Sequence, residues 1–137
     1  MTKRTLKKIN VLFALLLSII VFALPITSRA GAIITIANYE DWDFYGESDP
    51  EPVLLQRAAD TISLYAECEE GETDTITFFI CDITHNGLYD SSYQIPADGT
   101  AYTIVTDFPA GRYIVYAEGD SDILKVGAGA VFVAFIE

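Results

Sequence analysis

The chain has one histidine, two cysteines, one tryptophan and only eight basic residues among 137. Each shortage removes a class of function. A single histidine, His85, excludes a metal centre built from several imidazoles. Cys68 and Cys81 are not in C-x-x-C spacing, which argues against a catalytic thiol pair. No G-x-S-x-G accompanies the serines, so the nucleophile elbow of the hydrolases is missing. No segment beyond residue 30 sustains the 3.6-residue apolar period of a helix.

Basic charge is short where it would matter most. Lys3, Arg4, Lys7, Lys8 and Arg29 fall in the first 30 residues, leaving Arg57, Arg112 and Lys125 against 20 acids, a formal charge of −17. Such a field repels phosphate backbones and anionic lipid surfaces, so nucleic acid is excluded as a partner. The charge itself serves either solubility in an exposed environment or cation binding.

What is present begins with an export signal. "MTKRTLKKIN" is basic and free of acid, "VLFALLLSIIVFAL" (11–24) is apolar except for Ser18, and Pro25 precedes the small residues of "TSRAGA". This order is that of a secretory signal peptide, with cleavage expected after Ala30 or after Ala32. An uncleaved anchor is the competing reading, but spanning a bilayer takes about 20 apolar residues. The expectation is a signal peptide over 1–30, a single domain over 31–137, and a secreted product with no stable membrane insertion. In an exported chain two cysteines suggest a disulfide. A Cys68–Cys81 bridge would close a short loop worth ~3 kcal/mol in the chain-entropy model.

The mature segment reads as strands punctuated by turns. Apolar and β-branched runs occupy 32–38, 52–56, 61–68, 75–83, 91–95, 101–106, 112–118, 123–126 and 130–136. Gly, Pro, Asp and Asn gather between them in "EEGETD", "THNG", "PADGT", "DFPAG" and "EGDSD". This rhythm predicts an all-β fold, a small antiparallel β-sandwich of jelly-roll or immunoglobulin-like type. In 61–68, Ile62, Leu64, Ala66 and Cys68 share one face, as in a half-buried strand. The runs 75–83 and 130–136 are apolar on both faces, which predicts interior strands; an uncovered edge is the alternative for the last run. If 61–68 and 75–83 pair as a hairpin, Cys68 and Cys81 face each other near its base, with "EEGETD" as a solvated tip.

"DFPAGRYIVYAEGD" is the most distinctive phrase. Pro109, Ala110 and Gly111 turn the chain, and Tyr113 is placed to bond backbone with its hydroxyl while its ring packs inward, as in a tyrosine corner. The phrase resembles the A-G-x-Y-x-V segment of bacterial pre-peptidase C-terminal modules. "DWDFY" resembles their D-x-D-W-Y element, and "ICDITHNGLYD" a strand entering a D-x-x-G turn. The resemblance spans Asp41 to Glu118 and implies a small secreted sandwich that binds or stabilises.

Candidate site residues concentrate in "NYEDWDFYGESDPEP" (38–52), which breaks the strand rhythm and reads as a long loop. Asp41 with Asp43, and Asp120 with Asp122, are D-x-D pairs that could share a calcium ion, the one candidate cofactor. The alternative is solvated acid. Trp42, with Phe44, Tyr45, Tyr89 and Tyr93, is the candidate contact set for a glycan or protein surface; the alternative for Trp42 is that it folds back over a sheet edge. A serine triad would have to join His85 to Ser91, Ser92 or Ser121 and to Asp82 or Asp90. Three readings follow in order: a non-catalytic binding module for a protein or glycan surface, a self-assembling surface protein, and a small exported hydrolase.

Overall fold

The computed structural model of the chain describes residues 32–136, so the proposed signal peptide lies outside the described residues. Eight strands follow one another: β1 (Ala32–Tyr45), β2 (Glu51–Leu55), β3 (Ala59–Cys68), β4 (Thr75–Asp82), β5 (Ser91–Pro96), β6 (Tyr102–Phe108), β7 (Gly111–Gly119) and β8 (Lys125–Ile136). They form two four-stranded antiparallel sheets, β1-β8-β3-β6 and β2-β7-β4-β5. Successive strands cross from one sheet to the other at every connection except that from β4 to β5. That order, two Greek keys folded face to face, is a jelly roll.

Alternation along each strand supplies the core. Ile62, Leu64 and Ala66 of β3 and Ala128, Ala130 and Phe132 of β8 meet Ile76, Phe78 and Ile80 of β4 and Val115 and Ala117 of β7. Phe108 sits at one end, with its ring edge-on to both Tyr113 and Phe132.

Both strands predicted to be interior are interior, β4 between β7 and β5, and β8 between β1 and β3. The runs 123–126 and 130–136 are not two strands; Lys125–Ile136 is continuous through Gly127 and Gly129. The predicted hairpin is also corrected. β3 pairs with β6 and β8, and β4 with β5 and β7, so residues 69–74 are an arch between sheets. Cys68 ends β3 facing the core, whereas Cys81 lies near the far end of β4 on its outer face, opposite Ile114. At about 3.3 Å per residue, the six steps from Thr75 to Cys81 carry the second sulfur roughly 20 Å from the arch. No bridge joins the cysteines; both are free thiols, each pushed up in pKa by burial.

The predicted loop 38–52 is corrected in the same way. β1 continues to Tyr45 by absorbing a bulge: Asp41 pairs with Ala128 and Phe44 with Val126, so Trp42 and Asp43 together oppose Gly127. Asp43 takes φ +60° to do so. Trp42 is thereby laid against β8 on the outer face of its sheet, and a Cβ on Gly127 would fall inside its indole ring. It joins Tyr65, Val131 and Val133 there.

Candidate binding cleft

The site is organised from a buried carboxylate outward. Asp82 ends β4 with its side chain turned into the molecule. Its Oδ1 accepts the His85 backbone N–H at 3.0 Å, and its Oδ2 accepts the Tyr89 N–H at 3.2 Å. The His85 ring adds Nδ1 at 3.2 Å. Burial alone would raise the Asp82 carboxyl, but these donors outweigh it and hold the group below its usual range. An ionised carboxylate only accepts, so Nδ1 of His85 carries the proton. Asp90 returns the favour by accepting the Asp82 N–H at 2.6 Å. Between them Asn86 and Gly87 take φ +54° and +83°, left-handed positions within the turn expected at "THNG". The 83–90 loop is therefore fastened at both ends.

The loop is fastened sideways as well. Ile83 N–H donates to the Arg112 carbonyl at 2.9 Å, and Arg112 N–H to Thr84 Oγ1 at 2.7 Å. Below this, the Tyr113 hydroxyl donates to the Pro109 carbonyl at 2.6 Å, which is the tyrosine corner expected from the sequence. Its phenol, desolvated and close to Asp82, is pushed up to about 12. Only Gly tolerates the turn before it: Gly111 has φ +156°, and a Cβ there would meet Thr84 and the His85 ring.

These fastenings set the wall of an open cleft of about 540 Å³ on the outer face of the second sheet. Pro52 and Leu54 line it from the edge strand β2, Arg112 and Ile114 from β7, and Ile83 from the loop. Leu54 is 54% exposed and Ile83 53%. Leu54 is the direct cross-strand partner of Arg112, and Ile114 that of Pro52 and Cys81. Further along the same face, Phe79 and Tyr116 stack at 4.9 Å.

The sequence-predicted contact set is not gathered here. Trp42 is 9% exposed against β8, and Phe44 at 6% belongs to the core. Tyr89 and Tyr93 pack part-buried on the core from the 83–90 loop and β5, while Tyr45 is exposed at the end of β1. Of the D-x-D pairs, Asp41 accepts the Asp49 N–H at 2.9 Å, and Asp120 and Asp122 lie in the β7–β8 turn. Among the described residues no group of three His, Cys, Asp or Glu side chains is placed to hold a metal ion. Of the triad candidates, Asp82 does bond His85, but the Ser91 hydroxyl donates to the Tyr89 carbonyl, Ser92 is exposed on β5, and Ser121 lies beyond the opposite end of β7.

Leu54, Ile83, Arg112 and Ile114 were not singled out by sequence. A signal for two of them existed. With Val53 and Leu55 facing inward, Leu54 is an aliphatic side chain on the wrong parity, and Ile114 with Tyr116 repeats the pattern on β7. Two-faced apolarity indicated a covered strand; here it marks a face left open.

No family model matches the chain, and no curated protein sequence does. Among solved structures, TmCBM61 in complex with beta-1,4-galactotriose is similar at 12% identity over 80% of this chain and 83% of that one, with a TM-score of 0.40. A family two carbohydrate esterase from Cellvibrio japonicus is similar at 11% identity over 78% of this chain, which spans 35% of that one, with a TM-score of 0.38. The Yersinia pseudotuberculosis-derived mitogen matches at 9% identity over 74% of this chain and 85% of that one, with a TM-score of 0.45. Likeness at this level lends the chain no ligand.

Proposed function

We propose that this chain is a secreted, non-catalytic β-sandwich that binds a protein surface through the cleft between β2, β7 and the 83–90 loop. The observation that carries the reading is the pair Leu54 and Ile83, two aliphatic side chains each more than half exposed across a preformed hollow of about 540 Å³. Aliphatic walls with one polar group at the rim suit a side chain anchored from a partner. Export is supported by the basic start and apolar run of the first 30 residues. The rigid loop beside the cleft fits binding without reorganisation, which spares the ordering cost of association.

A glycan is the second reading, favoured by the stacked Phe79 and Tyr116 on the same face. The two separate by experiment. Tagged protein, wild type and Leu54→Asp/Ile83→Asp, is incubated with the producing cell's envelope and culture proteins and, in parallel, with a glycan array. A protein retained by the wild type and lost by the double variant supports the reading. Retention by both, or glycan binding that survives the double variant and is lost in Tyr116→Ala, contradicts it.

A further inference from the structure

Arg112 stands out because of what surrounds it. Residues 32–136 hold three basic side chains, Arg57, Arg112 and Lys125, and 19 acids, yet the Arg112 guanidinium makes no ion pair and no side-chain hydrogen bond among the described residues. Acid is abundant in the chain and is not brought to this cation. Instead Arg112 stands beside Leu54, its cross-strand partner, at an otherwise apolar hollow. A guanidinium fork is matched in shape and charge by a carboxylate, which it can hold through two parallel N–H···O bonds.

Resting on the reading of the cleft as a protein-binding site, we infer that its occupant is the C-terminus of a partner polypeptide, with an apolar last side chain against Leu54, Ile83 and Ile114 and its free α-carboxylate on Arg112. Spacing favours this occupant over an internal acidic segment. Directly opposed residues of an antiparallel pair have Cβ atoms about 5 Å apart, so Leu54 and Arg112 are reached together from one short stretch of ligand. An α-carboxylate and its own side chain leave the same Cα. In an extended internal segment, a neighbouring acid one residue away points to the opposite face, and one two residues away lies roughly 7 Å along.

The test is a titration of the full mature chain followed by the methyl NMR signals of Leu54, Ile83 and Ile114. Three probes are compared: an N-acetylated pentapeptide ending in leucine as the free acid, the same peptide as its C-terminal amide, and decanoate. The inference expects the free acid to shift all three methyls and to bind about tenfold more tightly than the amide. Arg112→Gln should abolish that difference, and Arg112→Lys should keep part of it, the fold being unaffected because the side chain is exposed. Equal binding of acid and amide overturns the carboxylate assignment and leaves the cleft as a site for an apolar segment. Tighter binding of decanoate overturns it by making the occupant a fatty acid. No shift from any probe, with a protein partner still captured by Leu54→Asp/Ile83→Asp, overturns the cleft itself.

Discussion

Two connections flanked by or carrying acids lie at opposite ends of the sandwich, and they hold those acids at different depths. At the 83–90 end, Asp82 and Asp90 are bonded to backbone N–H groups, the former from inside the fold. At the 69–74 end, Glu72 N–H donates to the Glu69 carbonyl at 3.0 Å and Ala97 N–H to the Asp74 carbonyl at 2.9 Å, and the carboxylates that accept backbone N–H groups, Asp74 from Thr75 at 2.9 Å and Glu69 from Lys125 at 3.4 Å, do so without being buried. The Glu72 side chain is exposed. Number of carboxylates therefore says little about what a loop does; access to donors away from water decides it. The end with the buried carboxylate carries the cleft, and the other carries four acids, Glu69, Glu70, Glu72 and Asp74, none of them buried.

Breaking the fastened end should cost most where the core reaches it. Phe108→Ala removes the ring that meets both Tyr113 and Phe132, and should destabilise by ~3–5 kcal/mol in urea unfolding. Asp82→Asn should come next, lowering the urea midpoint at pH 7 and broadening the amide signals of residues 83–90. The wild type should show the matching pH dependence. The Asp82 carboxyl is lowered on folding, so its stabilisation is present above the unfolded value of ~3.9 and is lost as pH falls through the lower folded one. Asp98, lowered by the Thr100 N–H and the Tyr102 hydroxyl against its own desolvation, adds in the same direction. The Asp82→Asn variant should therefore lose less stability than the wild type as pH falls from about 6 to about 3. A variant with the wild-type pH profile would remove Asp82 from its role.

Tyr113→Phe deletes one backbone bond while keeping the ring, and should cost ~1 kcal/mol by the same unfolding measurement. Glu72→Gln sharpens the comparison from the other side. A change of less than ~0.5 kcal/mol is expected for an exposed side chain away from any buried partner. A loss as large as that of Tyr113→Phe would mean that the arch depends on its acid after all.

Strand positions were legible because alternation is local: Ile62, Leu64 and Ala66 face one way whatever they pair with. The tyrosine corner was legible for the same reason, since Pro109 and Tyr113 are four residues apart. Pairing was not legible. Six residues between Cys68 and Thr75 can form either a hairpin or an arch, and what decides is that the two-faced β8, distant in sequence, takes the place beside β3. The disulfide expectation failed with the hairpin. Acid density hid the second half of β1, because "EDWDFY" has the composition of a loop and continues as strand only through the left-handed Asp43 opposite Gly127. The cleft escaped for a subtler reason: its residues come from β2, β7 and a loop, and each carries only an aliphatic side chain at the wrong parity or a lone arginine.

All of this depends on β3 and β4 parting into different sheets, which exposes the outer face of β4 and β7 and keeps the two sulfurs apart. Alkylation of freshly purified, unreduced protein in denaturant, followed by peptide mass mapping of the monomer, tests that parting directly. The account predicts that Cys68 and Cys81 each take up the label. Residues 58–112, the single tryptic fragment that holds both cysteines, recovered unlabelled and lighter by the two thiol hydrogens would contradict it, because the strands would then have to lie side by side.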